Sequence, residues 1–174
     1  MSLEFDLKLK NLADEFGITV ASLIEDIVFL RMCFVFAVPS KANRLKVGEI
    51  ILTEQGIPIP GRNGTAPGTS NECEYVDELS NKLVSHTHVI CGLQNCVYKA
   101  AREGVSIVNS TAYSTDSPCV RCGPVILSVG IKRFVYCREY RLVDHLEILK
   151  EKGVLIQQIP YEIVKEFGEH YAEL

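Results

Sequence analysis

The stretch Ser117-Pro118-Cys119-Val120-Arg121-Cys122-Gly123-Pro124 constrains this chain more than any other. It follows Thr115-Asp116 and precedes the apolar run Val125-Ile126-Leu127-Ser128-Val129. That order predicts a strand end, a tight turn and a helix start. Pro118 suits the first turn of a helix, where its missing N–H would be unpaired anyway. Two thiols three residues apart on that turn share one face. A helix N-terminus stabilises negative charge, so it favours the thiolate form that binds metal. PCxxC at a strand-to-helix junction is therefore one half of a zinc site. A half-site needs at least one more ligand. The candidate is Cys91, in Val89-Ile90-Cys91-Gly92-Leu93-Gln94-Asn95-Cys96. Cys91, Cys119 and Cys122 would then hold Zn²⁺ as a three-thiolate site with water as the fourth ligand.

With 174 residues, 47% hydrophobic and 23% charged, the chain is expected to form one domain (1–174) with a substantial core. A net charge of −4 argues against a broad nucleic-acid surface. A nucleotide pocket needs only a few local cations and is not excluded. No stretch approaches the roughly 20 apolar residues of a membrane span. The opening Met-Ser-Leu-Glu-Phe-Asp has neither the basic nor the apolar region of a signal peptide. Seven cysteines, an odd count, argue against a disulfide framework. Cys33 and Cys137 sit in apolar runs and read as buried small residues.

Along the chain, an apolar stripe predicts a helix over 3–16, closed by Gly17. A second, strongly apolar helix starts at Thr19 or Ser22 and runs through Phe34, and Pro39 marks its end. These are the N-terminal helices, within 3–38, and the core spans 46–160. Between them lies a basic loop with Lys41, Arg44 and Lys46. Residues 47–53 read as a strand and 57–60 as its partner, which two prolines demote to an edge. Residues 61–70 form a glycine-rich loop whose backbone N–H groups and Asn63 can approach a phosphate or sugar. The polar segment 71–86 reads as a loop or insertion. His86 and His88, two apart, would not face each other on a helix. A secondary metal site with Cys73 is the minority reading for them.

A helix is expected over 89–103, with Cys91, Asn95 and Tyr98 on one face and Gly104 at its end. Then come a strand over 105–115, the PCxxC helix to Val129, a strand over 131–137, a helix over 142–152 and a strand over 154–159. A polar tail occupies 161–174. Strands alternating with helices imply an α/β sandwich with a mixed sheet.

In this order, several stretches resemble the deoxycytidylate (dCMP) deaminase family of the zinc cytidine deaminase superfamily, most closely its T-even and cyanophage-type members. They are Lys46-Val47-Gly48, residues 61–68 (GRNGTAPG), Asn71-Glu72-Cys73-Glu74, Asn95 with its helix, residues 114–122 (STDSPCVRC) and residues 130–141 (GIKRFVYCREYR). The resemblance implies a cytidine deaminase-like three-layer α/β/α sandwich with a five-stranded mixed sheet. It implies zinc on Cys119, Cys122 and one upstream residue, and conversion of dCMP to dUMP. It further implies a nucleotide held by Arg44, Lys46, Asn63, Tyr140 and Arg141. Oligomers and regulation by dCTP and dTTP are common in the family. The expected location is the cytoplasm, that of the host if the gene is a phage's.

The chain departs from the family at its His-Ala-Glu motif. Aligned on Asn95, it has Cys91-Gly92-Leu93. Zinc accepts Cys for His, but leucine cannot move a proton as the family's Glu does. General acid–base catalysis is worth roughly 10²–10⁴ in rate. Glu72 or Glu74 could fold back to replace it. Cys96 is an alternative fourth ligand, and Arg121 a candidate to offset the charge of three thiolates. Three readings stand. The chain is a working zinc deaminase with an unconventional proton shuttle. Or it is an inactive nucleotide-binding or regulatory subunit, alone or paired with an active deaminase. Or it is a repurposed enzyme with Cys91 or Cys96 as nucleophile.

Overall fold

The computed structural model describes residues 3–141 and 144–171. Two helices come first, α1 (Leu3–Phe16) and α2 (Val20–Ala37). Gly17, at φ +65°, ends the first; the Thr19 hydroxyl caps the second by accepting from Ser22 N at 3.1 Å. Strands β1 (Gly48–Leu52), β2 (Pro58–Arg62), β3 (Glu74–Asp77) and β4 (Lys82–Ser85) follow. The rest alternates: α3 (Gly92–Glu103), β5 (Thr111–Asp116), α4 (Cys122–Ser128), β6 (Arg133–Arg138), α5 (Asp144–Glu151), β7 (Leu155–Gln158) and α6 (Tyr161–Tyr171).

The main sheet has five strands in the order β2-β1-β5-β6-β7. β1 runs antiparallel to β2 and β5, while β5, β6 and β7 are parallel. The proline-bearing β2 lies at an edge, as its missing N–H groups require. The period-two alternation of the strands sorts two cores. Ile50, Tyr113, Val135 and Cys137 face α1, α2 and α6. Ile51, Ala112, Phe134 and Tyr136 face α3, α4 and α5. This is the expected three-layer α/β/α sandwich with a five-stranded mixed sheet.

Several elements differ from expectation, among them β5, which starts only at Thr111. The segment 71–86 is a β-hairpin, β3 on β4, with four paired residues per strand. Its glutamate anchors it: Glu74 accepts from the backbone N–H groups of Asn43 and Arg44, at 3.0 and 3.4 Å. The C-terminal tail is a helix, α6, because Val164 and Phe167 bury one face against the α2 layer. The glycine-rich loop starts two residues late, since Gly61 and Arg62 are still paired in β2. Gly61 is tight enough against α3 that an added Cβ would stand 2.5 Å from Cys96 Sγ. Leu142 and Val143, the expected start of the α5 helix, lie outside the described residues. No helix among the described residues is long and apolar enough to cross a membrane.

Candidate metal and nucleotide site

Because β5 and β6 are parallel and β1 is antiparallel to β5, three chain segments meet at one end of the strands. These are the end of β5, the start of α4 and the start of β1. The loops leaving parallel strands at their C-terminal ends are where such folds place sites.

The sulfurs of Cys91, Cys119 and Cys122 converge there, all within 4.8 Å of one another. Cys91 Sγ lies 3.5 Å from Cys119 Sγ, which lies 3.4 Å from Cys122 Sγ. A tetrahedral zinc with Zn–S bonds of about 2.3 Å separates its sulfurs by about 3.8 Å, so a slight spreading admits the ion. Neither Cys91 nor the Cys119–Cys122 pair sits as the sequence predicts. Cys91 is the N-cap of α3 rather than part of it, held by Gln94 Oε1, which accepts from Cys91 N at 3.1 Å. It therefore shares no helix face with Asn95 and Tyr98; Asn95 Nδ2 instead donates to Arg62 O of β2. Cys119 precedes α4, and only Cys122 is helical. The Pro118 carbonyl is held by His145 Nε2 at 2.7 Å, and Ser117 N donates to Arg138 O, which keeps the chain extended before the turn. Cys122 N then donates to Cys119 O to close the turn.

The three thiols share their protons. Hydrogen bonding with the Cys122 and Cys91 thiols holds Cys119 far below the ordinary thiol range. Sharing with Cys119 raises Cys91 to about 11, and the same contact pushes Cys122 up. The sharing favours the thiolate at Cys119, and a bound cation would displace the protons that the other two thiols keep. Arg121 Nη2 stands 3.5 Å from Cys91 Sγ, supplying positive charge to offset the thiolates.

The cluster opens onto a cavity of about 610 Å³, a size typical of small-ligand sites. Arg44, Arg121, Arg138 and Arg141 stand on its walls. Arg44 Nη1 donates to Ser85 Oγ of the hairpin. Arg138 is paired with Asp116 at 2.8 Å and lies over the Phe34 ring. Tyr140 also lines the cavity, anchored by its N–H to Ser117 Oγ, with the exposed Arg141 beside its ring. Asn63 reaches the wall, but its side chain is committed to the basic loop. Its Oδ1 accepts from Ser40 Oγ and Val47 N, and its Nδ2 donates to Leu45 O. Lys46 is exposed, outside the lining, and its Nζ donates to Val38 O.

Leu93 is fully buried among Ile51, Ala112 and Ile126 and does not line the cavity. Cys96 is buried too, its Sγ 3.7 Å from Glu49 O; it neither joins the sulfur cluster nor meets the cavity. Burial raises its pKa well above the usual thiol value, which makes it a poor nucleophile. Glu72 is exposed, and Glu74 is spent on the basic loop. His86 and His88 stack at 5.0 Å beside Tyr75 on the hairpin, while Cys73 Sγ turns to Asn71 O.

The structure adds Glu49, which the sequence reading passed over. It lies in β1 on the same face as Ile51, 4% exposed, and lines the cavity. Ser114 Oγ donates to its Oε1 at 3.2 Å, and its Oε2 has no partner among the described residues. Burial raises its pKa to about 8, Ser114 opposes the rise, and the charges of Cys119 and Asp116 add to it. The signal was present as one acidic residue inside the apolar strand Gly48-Glu49-Ile50-Ile51-Leu52.

Comparison with known proteins agrees with this fold. The family model described as "Cytidine and deoxycytidylate deaminase zinc-binding region" matches residues 24–138. The deoxycytidylate deaminase of Enterobacteria phage T4 is 27% identical over 169 residues, covering 75% of this chain and 88% of that protein. The deoxycytidylate deaminase of Saccharomyces cerevisiae is 25% identical over 141 residues; the match covers 78% of this chain but spans only 45% of the yeast protein. Among solved structures, the dCMP deaminase of cyanophage S-TIM5 in complex with dCMP and dUMP superposes with a TM-score of 0.68. It is 29% identical, covering 76% of this chain and 94% of that one.

Proposed function

We propose, from the premise that the chain belongs to the cytidine and deoxycytidylate deaminase zinc-binding family, that it binds zinc and hydrolyses dCMP to dUMP and ammonia. The observation that carries this reading is the three-sulfur cluster at the inner end of an arginine-walled cavity. Cys91, Cys119 and Cys122 would hold the ion, which when bound acts as a Lewis acid and lowers the pKa of water. The protein's own residues supply the rest. Arg44 and Arg141 provide the positive charge for a 5′-phosphate. Tyr140 offers its ring to sugar or base. Asn63 acts one step back, by fixing the loop that carries Arg44. Arg121 balances the thiolates. The S-TIM5 protein's complex with dCMP and dUMP supports the choice of nucleotide. dCTP or dTTP as effector, and assembly with itself or with an active deaminase, belong to the same proposal.

A second reading is favoured by Leu93, which stands in the core where the family motif has its Glu. On that reading the chain is a nucleotide-binding subunit without activity. The test is ammonia release from dCMP by zinc-supplemented protein, with metal content measured on the same sample. Turnover near 1 s⁻¹ or faster establishes the deaminase. Bound zinc and bound dCMP without turnover establish the silent subunit.

A further inference from the structure

We infer that Glu49, on β1, is the proton-transferring carboxylate of this centre, standing in for the Glu that Leu93 replaces. The inference rests on the deaminase reading and supplies what that reading lacks.

The argument is geometric. The register pairs Glu49 with Ser114 across β1 and β5, two residues before Asp116 and five before Cys119. The strand alternation turns its side chain toward α3 and α4, the layer that carries the cysteines. The carboxylate is 4% exposed and lines the cavity, with Oε2 unpartnered among the described residues. A buried polar atom without a partner costs stability unless a ligand or water meets it. The three sulfurs form the metal-sized group, and Glu49 is not one of its members.

Gly92 completes the arrangement. A Cβ there would lie 3.1 Å from Glu49 Cγ and 3.2 Å from its Cδ. Glycine between Cys91 and Leu93 therefore leaves the room that the Glu49 side chain fills. The same three residues that lose the motif's Glu open the space for another carboxylate. In the reaction, Glu49 accepts a proton from the attacking water as the C4–O bond forms and passes it to N3 of the base. It then carries the second proton of that water to N4 as the C4–N4 bond breaks. Ammonia leaves and dUMP remains, with no change of oxidation state.

The test compares wild type, Glu49→Gln, Glu49→Asp and Gly92→Ala. Four quantities are read: zinc per chain, dCMP affinity, kcat, and the pH dependence of the visible spectrum after Co²⁺ substitution. The expected result for Glu49→Gln is a fall in kcat of at least about a hundredfold. Zinc content stays near wild type, dCMP affinity changes less than threefold, and the midpoint of the cobalt spectral transition moves. Glu49→Asp retains part of the activity, and Gly92→Ala lowers kcat with zinc intact. Glu49→Gln with kcat within threefold of wild type overturns the inference. So does loss of zinc in that variant, which would make Glu49 a ligand. Wild type that binds zinc and dCMP without turnover overturns it as well, and leaves the family's silent-subunit reading. Wild type that binds no dCMP defeats the proposed substrate instead. In that case an unmoved cobalt midpoint in Glu49→Gln overturns the role of Glu49, and a moved one supports it.

Discussion

At the scale of single residues, Glu49 and Leu93 have exchanged the environments expected of them: the carboxylate reaches the cavity and leucine fills the core. The exchange has a cost that pH exposes. In the metal-free protein burial raises the Glu49 pKa from an ordinary 4.5 to about 8. The fold therefore favours the neutral acid. Below pH 4.5 both folded and unfolded chains are protonated there and the site is neutral in the balance. As pH rises from 4.5 to 8 the unfolded state ionises first, so stability falls, by a few kcal/mol in all. Above 8 both states are ionised and the loss levels off. Glu49→Gln removes this dependence. The urea-derived stability gap between the metal-free variant and wild type should widen from pH 5 to pH 8 and then stay flat. A gap independent of pH would show that the Glu49 carboxyl is not desolvated. Leu93 gives the converse expectation. Leu93→Glu places a carboxylate in the α3 core, so it should destabilise by about 2–5 kcal/mol and leave dCMP turnover no higher. Thermal melting and an ammonia assay on the same variant decide this.

At the scale of elements, the sheet is tied to α2 by one buried ion pair. Arg133 of β6 holds both oxygens of Asp26, at 2.7 and 2.6 Å. Tyr113 Oη donates to the same carboxylate at 2.8 Å, and Arg133 Nε reaches Gln157 of β7. Asp26→Ala should cost about 3–5 kcal/mol, because it strands a guanidinium that is mostly buried. Asp26→Ala with Arg133→Met should cost less than Asp26→Ala alone, a non-additivity that urea denaturation of the variants would reveal. This staple was not legible in the sequence, since residues 26, 113 and 133 meet only through the tertiary fold. The elements themselves were legible wherever periodicity and caps agreed. The span of α1, the Thr19 cap and the edge position of β2 all follow from local signals. The starts of α3 and α4 were not: Gln94 makes Cys91 a cap, and the extended Ser117-Pro118 delays α4 to Cys122. The hairpin over 74–85 was hidden because its polar, exposed strands lack the alternation that marks a half-buried sheet. Glu49 was hidden for the opposite reason. A strand's register against a distant strand decides whether a buried carboxylate meets a site, and no local pattern encodes that register.

For the whole molecule, the sulfur cluster joins the start of α3 to the turn from β5 into α4, a link that Arg121 Nη2 reinforces by its contact with Cys91 Sγ. Cys91 caps α3, and Cys119 and Cys122 flank the turn from β5 into α4. α3 and α4 pack on the same side of the sheet, sharing the core of Leu93, Ala100, Ile126 and Phe134. Cys122 is part of that core and Cys91 and Cys119 pack against it, but most of its side chains are aliphatic or aromatic, and it should persist without an ion. Metal should therefore add stability to a fold that already exists, unlike a zinc finger, which collapses without it. An ion that binds the folded state alone contributes RT ln(1 + [L]/Kd), about 4 kcal/mol at a thousandfold excess over Kd. Zinc-loaded protein should thus melt several degrees above chelator-treated protein, while the far-UV circular dichroism of the two stays alike below the transition. Cys91→Ala should abolish the zinc-dependent rise, because it removes the ligand that links α3 to the β5–α4 turn. Cys96→Ala should keep it, since Cys96 stands outside the cluster and only packs the core. Chelation that unfolds the chain outright would mean that the α3–α4 layer depends on the metal for its existence. A zinc response that survives Cys91→Ala would mean that the cluster is not where the ion binds.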